Sequence, residues 1–324
     1  VLFTQLQPRK AFDAWQDFRK SRYPATPGRL LAFHGIGGHD VYNTSVPFTY
    51  NGQTILAGRV EKRDSEDAMT LFFAQRGDGW HRIEAASVVQ GLQDPFVTWI
   101  DGCWILGGVH AIWRPDGSLV TYHTEFYRID SLDSLVPVAE GPAYMKDIRL
   151  LQLPDRRIAV FSRPQGDAVK HLGRVAAIGF GIIDSLDRLS ASVIAGLPLL
   201  DGHFMADEWG GYNHLQLLKN GLIGCAGHQS WGETVDGTFV IHYYPFAQVI
   251  DPATAALSPM DIIGSRDCFP ETEQKNPRAY DVCFTSGLIR HGQGRATLYT
   301  GLSDAYEGEL DITDPFDKYE ALKR

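Results

Sequence analysis

The feature that most constrains this chain is an internal repeat. Five segments share one pattern: an Asp or Asn, a short β-prone run, a turn, and a second β-prone run ending in small or polar residues. They begin at Asn43 (NTSVPFTYNGQTILAGRVEKR), Asp94 (DPFVTWIDGCWILGGV), Asp147 (DIRLLQLPDRRIAVFSRP), Asn213 (NHLQLLKNGLIGCAGHQSW) and Asp281 (DVCFTSGLIRHGQGRATLYTGLSDA). The starts lie 51, 53, 66 and 68 residues apart, enough for four strands per repeat. Asn51-Gly52, Asp101-Gly102 and Asn220-Gly221 sit between extended runs, where a tight hairpin wants positive φ at low cost. Residues 68–73, 118–122 and 237–244 read as outer strands. A parallel α/β fold would need helices of roughly 10–15 residues between strands, and the intervals hold Pro, Gly and alternating runs instead.

The expected fold class is therefore all-β, a five-bladed β-propeller with an N-terminal extension. Residues 1–27 are expected to pack on the propeller, 28–315 to form it as a single domain, and 316–324 to be a tail. Within the extension, Phe12, Trp15 and Phe18 recur near helical spacing, so residues 8–22 should form a short amphipathic helix. A length of 324 residues with 44% hydrophobic content suffices for one closed architecture of this size.

Several function classes are disfavoured by composition and motif content. A net charge of -9 repels phosphate backbones, so nucleic acid is not an expected partner. Cys103, Cys225, Cys268 and Cys283 are widely spaced and read as reduced, mostly buried thiols. No apolar run reaches the roughly 18–20 residues that span a bilayer, and Val1-Leu2-Phe3-Thr4 opens no signal pattern; no membrane partner and a cytoplasmic location are expected. There is no Gly-x-Ser-x-Gly elbow, Walker loop, His-Glu-x-x-His motif or calcium loop, and neither a cofactor nor a metal is expected.

A propeller converges its first strands on a narrow axis, which makes neighbours of residues far apart in sequence. Asp94, Asp147 and Asp281 recur at the repeat phase with Asn43 and Asn213, while Asp40 and Glu208 lie shortly before the two asparagines. Each is open to two readings: a turn cap that accepts backbone hydrogen bonds, or a polar group facing an axial pocket. Read together they offer paired carboxylates, the chemistry of glycosidic bond cleavage. Asp94 is the preferred base or orienting acid, because Pro95 holds its backbone extended. Glu208 is the preferred proton donor, its longer side chain emerging beside Trp209 and Gly210-Gly211. Asp147 would be a second acid or a ligand for a sugar hydroxyl. Arg59, Glu61, Arg63, Asp64 and Glu66, with Arg149 and Arg163, add charges near the same strand ends. Tyr42, Phe48, Phe96, Trp209 and Trp231 are candidates either to stack on a sugar or to pack between blades, and His228 either to bind hydroxyls or phosphate or to serve structure.

The segments NTSVPF, AGRVEKRDSE, LQDPFVT, KDIRLLQL, VFSRP and EWGGYNHL resemble a widespread family of uncharacterised proteins with a five-bladed propeller fold, over most of residues 28–310. More distantly the chain is similar to the superfamily of glycoside-acting propellers that includes arabinanases, β-fructosidases and mannoside phosphorylases. That resemblance implies acids from successive blades around the axis, with Asp94 as the second-blade acid. It also implies that Arg59, Glu61 and Arg63 correspond to the arginine-acid-arginine stretch of mannoside phosphorylases. Two departures stand out: Asn43 replaces an Asp base of the hydrolase pattern, and Asp147 stands where a Glu donor would be obvious. Either Asp40 and Glu208 assume those jobs, or the chemistry has changed or been lost. The expected partner is a small glycoside or short oligosaccharide, and the slightly preferred reaction is its hydrolysis. The alternatives are phosphorolysis, with inorganic phosphate held by Arg59, Arg149, Arg163 and His228, and a non-catalytic sugar-binding propeller.

Overall fold

A computed structural model of the chain describes residue 3 and residues 7–322; the remainder of the expected extension and tail lies outside the described residues. The repeat becomes five antiparallel blades. Blade I runs from the short inner strands Asp40–Tyr42 and Phe48–Tyr50 through Gln53–Glu61 and Met69–Arg76 to Gly79–Arg82. Blade II is Leu92–Ile100, Cys103–Trp113, Leu119–Ser131 and Ser134–Glu140, and blade III is Arg149–Gln152, Ile158–Ser162, Ile178–Ile183 and Leu199–Leu200. Blade IV is Trp209–Leu217, Ile223–Val235 and Thr238–Asp251, edged by two short strands. Blade V is Asp281–Gly292, Arg295–Leu302 and Tyr306–Thr313, and its fourth strand is Arg29–Leu30 from the other end of the chain. That exchange closes the ring: the last blade's edge is capped by backbone hydrogen bonds from the segment preceding the first blade.

Residues 68–73, 118–122 and 237–244 become third strands, one position in from the edge. Asn51-Gly52 and Asp101-Gly102 form the expected turns with both residues at positive φ. At Asn220-Gly221 only the glycine does; the Asn220 amide instead donates to the carbonyl of Tyr319 at 2.9 Å, tying the turn to the C-terminal segment.

Because each blade is apolar on both faces, the core is a set of layers between blades. Phe48, Leu92 and Leu106 fill the layer between blades I and II, and Phe96, Ile105, Ile148 and Val160 the next. Phe161, Tyr212, Phe246, Leu288 and Leu298 continue through blades III, IV and V. The helix forms over Ala11–Ser21 and buries Ala11 and Phe18, with Trp15 stacked on Tyr244 at 5.6 Å. At the other end Phe316 is buried against Gly224, where an added Cβ would meet its ring at 2.9 Å. Among the described residues no helix is long and apolar enough to cross a membrane.

Candidate active site at the propeller axis

The repeat-phase residues reach the axis through an unusual backbone. Asn43, Asp94 and Asp147 have φ of 47°, 49° and 56°, the left-handed region that Asn and Asp tolerate better than other side chains. In blade II the ladder to Cys103–Trp113 breaks between Gly107 and Val109, opposite Asp94 and Pro95. Pro95 has no N–H to donate, so the strand bulges there. In blade IV the break falls between Tyr212 and His214, leaving Asn213 as the extra residue. Such bulges re-aim a side chain without ending the strand.

The polar groups of successive blades then bond to one another around a cavity of about 710 Å³. Asn43 donates to Asp94 Oδ1 at 2.8 Å, and Arg59 Nη1 to the same oxygen at 3.1 Å. The Arg59 guanidinium also donates to Glu61 at 3.0 Å and Glu66 at 3.1 Å, and lies over the Tyr42 ring. Lys275 pairs with Glu61 and, at 2.8 Å, with Glu66. Across the cavity Arg163 donates through Nε and Nη2 to Asp147 Oδ2 at 3.0 and 2.9 Å. Asn213 donates to Asp147 Oδ1 at 3.4 Å, which turns its amide oxygen toward His228 Nδ1 at 2.7 Å. That nitrogen therefore carries the proton, and Nε2 keeps its lone pair. Arg149 is buried over the Phe96 ring and donates to the Asn213 carbonyl at 2.6 Å.

These contacts set the protonation states. Burial pushes Asp94 up, but Arg59, Lys146 and the Asn43 amide outweigh it and hold the carboxyl below its usual range. Burial acts on Asp147 too, and Arg163 with its neighbouring cations drives it far lower. Asp304, on the turn between Arg295–Leu302 and Tyr306–Thr313, goes the other way: burial, reinforced by the charge of Asp94, raises it to about 6 against the pull of Arg59. Burial brings His228 down to about 3 and Arg149 to about 10. Two carboxylates on one cavity wall thus have their affinities for protons pushed apart, the pattern by which acid and base roles divide.

Of the residues expected from sequence, Asn43, Arg59, Asp94, Arg163, Trp209 and His228 line this cavity. Asp147, Asn213 and Glu61 stand directly behind it as partners of lining groups, with Arg149 bonded in turn to Asn213. Four expectations are corrected. Glu208 does not line the cavity; its carboxylate accepts from the Ala11 N–H and the Gln229 amide, both at 2.7 Å, and so anchors the N-terminal helix. Asp281 accepts from Tyr244 and pairs with His242 at 2.6 Å, away from the lining. Asp40 is paired with Arg63 at 2.8 Å, and Asp64 is exposed in the following loop. Among the aromatics, Tyr42 and Trp209 line the cavity, Phe48 and Phe96 pack between blades, and Trp231 stacks on His242.

Sequence reasoning missed Lys146, Arg278 and Asp304, all of which line the cavity. Lys146 directly precedes the repeat-phase Asp147, a signal that was available. Arg278 and Asp304 lie in loops of blade V with no such mark. Among the described residues neither Lys146 nor Arg278 makes an ion pair, whereas Arg59 and Arg163 are committed to carboxylates.

Comparison with known proteins agrees with this architecture. A family model described as "Protein of unknown function (DUF1861)" matches residues 17–318. No curated protein matches the chain. Among solved structures, MPT-4, a mannose phosphorylase from Leishmania mexicana determined in complex with a phosphate ion, is 37% identical with a TM-score of 0.87, covering 96% of this chain and 95% of that one. MPT-1, a GDP-Man-dependent mannosyltransferase from the same organism, is 34% identical with a TM-score of 0.87, covering 97% of each chain. The β-1,2-mannobiose phosphorylase of Listeria innocua shares the fold at 13% identity and a TM-score of 0.58, over 88% of this chain and 93% of that one.

Proposed function

The chain belongs to the DUF1861 family, within a superfamily of carbohydrate-processing propeller enzymes, and from that premise we propose that it is a glycoside phosphorylase acting on mannosides. The observation that carries the reading is the unengaged Lys146 ammonium at the cavity wall, beside Arg163 and His228. A hydrolase needs a seat for water there. An ammonium with no ion pair among the described residues, set with a guanidinium and an imidazole, is a seat for an anion even though Arg163 is already paired with Asp147, and inorganic phosphate fits it. The mannose phosphorylase that is 37% identical was solved with phosphate, which favours the same choice.

In this reading phosphate sits against Lys146 and Arg163, with Arg278 at the mouth, and the lone pair of His228 Nε2 accepts its remaining proton as a hydrogen bond. A phosphate oxygen bonds to the anomeric carbon as the C–O bond to the leaving sugar breaks. Asp304 gives its proton to that leaving oxygen, and ionised Asp94, fixed by Asn43 and Arg59, orients the sugar and balances charge developing on its ring. Trp209 offers a ring face to the sugar.

The test is a panel of mannosides and short manno-oligosaccharides with and without inorganic phosphate, following mannose 1-phosphate and free mannose. Mannose 1-phosphate should form only with phosphate, fall at least about 10²-fold in Asp94→Asn, and show a raised KM for phosphate in Lys146→Met. The wild-type rate should decline above about pH 6 as Asp304 ionises, and Asp304→Asn should abolish that limb. Free mannose released without phosphate would replace this reading with hydrolysis. Transfer from GDP-mannose without phosphate would replace it with a transferase, the activity of the relative at 34% identity.

A further inference from the structure

We propose that blade II carries a second site, for a borderline divalent cation such as Zn²⁺, built from His110, His123, Glu125 and Glu140. The four residues form a grid across three strands. His110 on Cys103–Trp113 is the register partner of His123 on Leu119–Ser131, and Glu125 on that strand is the partner of Glu140 on Ser134–Glu140. His123 and Glu125 are two apart in one strand, so all four side chains share a face. None of them lines the axial cavity.

The donor atoms already converge. Those of His123, Glu125 and Glu140 lie within 4.8 Å of one another. Glu125 Oε1 sits between the two imidazoles, 2.9 Å from His110 Nδ1 and 3.3 Å from His123 Nε2. Donors bound at roughly 2.0–2.2 Å around a tetrahedral ion stand only about 3.4 Å apart, so small side-chain movements would complete the shell. His110 Nδ1 is shielded from solvent and faces Glu125 Oε1, so the nitrogen and the carboxylate already border one position that an ion could share. The support around the ligands is also present. Tyr127 donates to the second oxygen of Glu125, fixing the carboxylate as an outer-shell partner does. Gly91 leaves room for the His110 ring, since a Cβ there would meet Nε2 at 2.9 Å. Two imidazoles with two carboxylates suit zinc or its neighbours better than calcium or magnesium, which prefer oxygen alone. The ion would staple the three outer strands of blade II, whose ladder is interrupted between Phe126 and Tyr127.

The experiment uses the full chain with Zn²⁺ as probe, reading bound metal after gel filtration and the thermal midpoint, with Co²⁺ absorption reporting nitrogen ligation. One ion per chain is expected, with a midpoint that rises with zinc concentration and returns on chelation. Glu140→Gln, on an exposed edge residue, should weaken binding at least about 10-fold without unfolding the protein, and His123→Ala should abolish it. His81→Ala is the control, because His34, Asp78 and His81 form a second, more exposed cluster. No bound zinc in the wild type, binding that survives His123→Ala, or binding lost in His81→Ala would each overturn the proposal. None of these readouts depends on catalysis, so failure here and failure of the phosphorylase reading are separable.

Discussion

The two sides of the axial cavity are built from the same kinds of residue and have opposite electrical characters. Blades V, I and II contribute Arg59, Lys275 and Arg278 against Glu61, Glu66, Asp94 and Asp304, and Arg59 and Lys275 are bound by carboxylates. Blades III and IV contribute Lys146, Arg149 and Arg163 against Asp147, with a half-buried His214 and a buried His228 whose desolvation keeps them neutral. One side therefore holds a surplus of acids and the other a surplus of cations. In the proposed reading the difference divides labour: protons and sugar hydroxyls belong to the acidic side, an anion to the basic side. It also shows that a buried ion pair and a binding group can stand next to each other on one wall, Arg163 being largely spent on Asp147 while Lys146 is not.

The largest effect that should sharpen this contrast is on stability. Arg163→Met strands the Asp147 carboxylate in the interior and should cost about 3–5 kcal/mol in denaturant unfolding. Lys146→Met, one residue from Asp147, should cost clearly less, because Lys146 forms no ion pair among the described residues and acts on Asp94 and Asp147 through its charge alone. Equal losses in the two variants would mean that Lys146 is structural and would break the comparison.

The next effect is a pair of opposite pH dependences. On the acidic side burial raises Glu307 to about 8, and its carboxylate accepts the Thr44 N–H at 3.1 Å. The folded state then holds a proton that the unfolded chain has lost, so this group subtracts stability as pH rises from about 4.5 to about 8. Glu307→Gln should accordingly gain on wild type through that window, on the order of 2–3 kcal/mol by pH 9. On the basic side His214 is brought to about 4 and His228 to about 3 by burial. Here the unfolded chain binds protons first, so their contribution is lost as pH falls below about 6.5. Unfolding free energy measured from pH 4 to pH 9 separates the two arms, and a Glu307→Gln curve parallel to wild type would mean that the folded protein holds Glu307 ionised despite its burial.

The smallest effect concerns a residue placed outside both sides. Glu208→Gln should lose about 1 kcal/mol of stability, through a weakened tie to the N-terminal helix, with kcat unchanged. A large fall in kcat would return Glu208 to the site.

Asp94 was legible in the sequence from its repeat phase, but the extended backbone expected from Pro95 is not what forms: Asp94 has φ of 49°, in the left-handed region, at a bulge. Repeat phase also marked Asn43, Asp147 and Asn213, which the axis did bring together. Glu208 looked equally suitable beside Trp209 and two glycines, yet the Ala11 N–H, supplied from the other end of the chain, claimed its carboxylate. Asp281 kept the repeat phase but met His242, because blade V begins by pairing in parallel with blade IV. Asp304 shows the converse, a loop residue with no pattern whose hold on a proton is raised only through burial beside Asp94.

The sequence by itself determined the number of blades, the strand order within most of them and the phase at which polar residues enter the axis. Those follow from alternation, turn residues and spacing, which act over a few residues and repeat. Only the tertiary structure decided which charges neutralise each other and which stay free, and it alone assembled the grid of His110, His123, Glu125 and Glu140. A charge's role depends on neighbours a few ångströms away in space, and closing a five-bladed ring supplies those neighbours from every part of the chain.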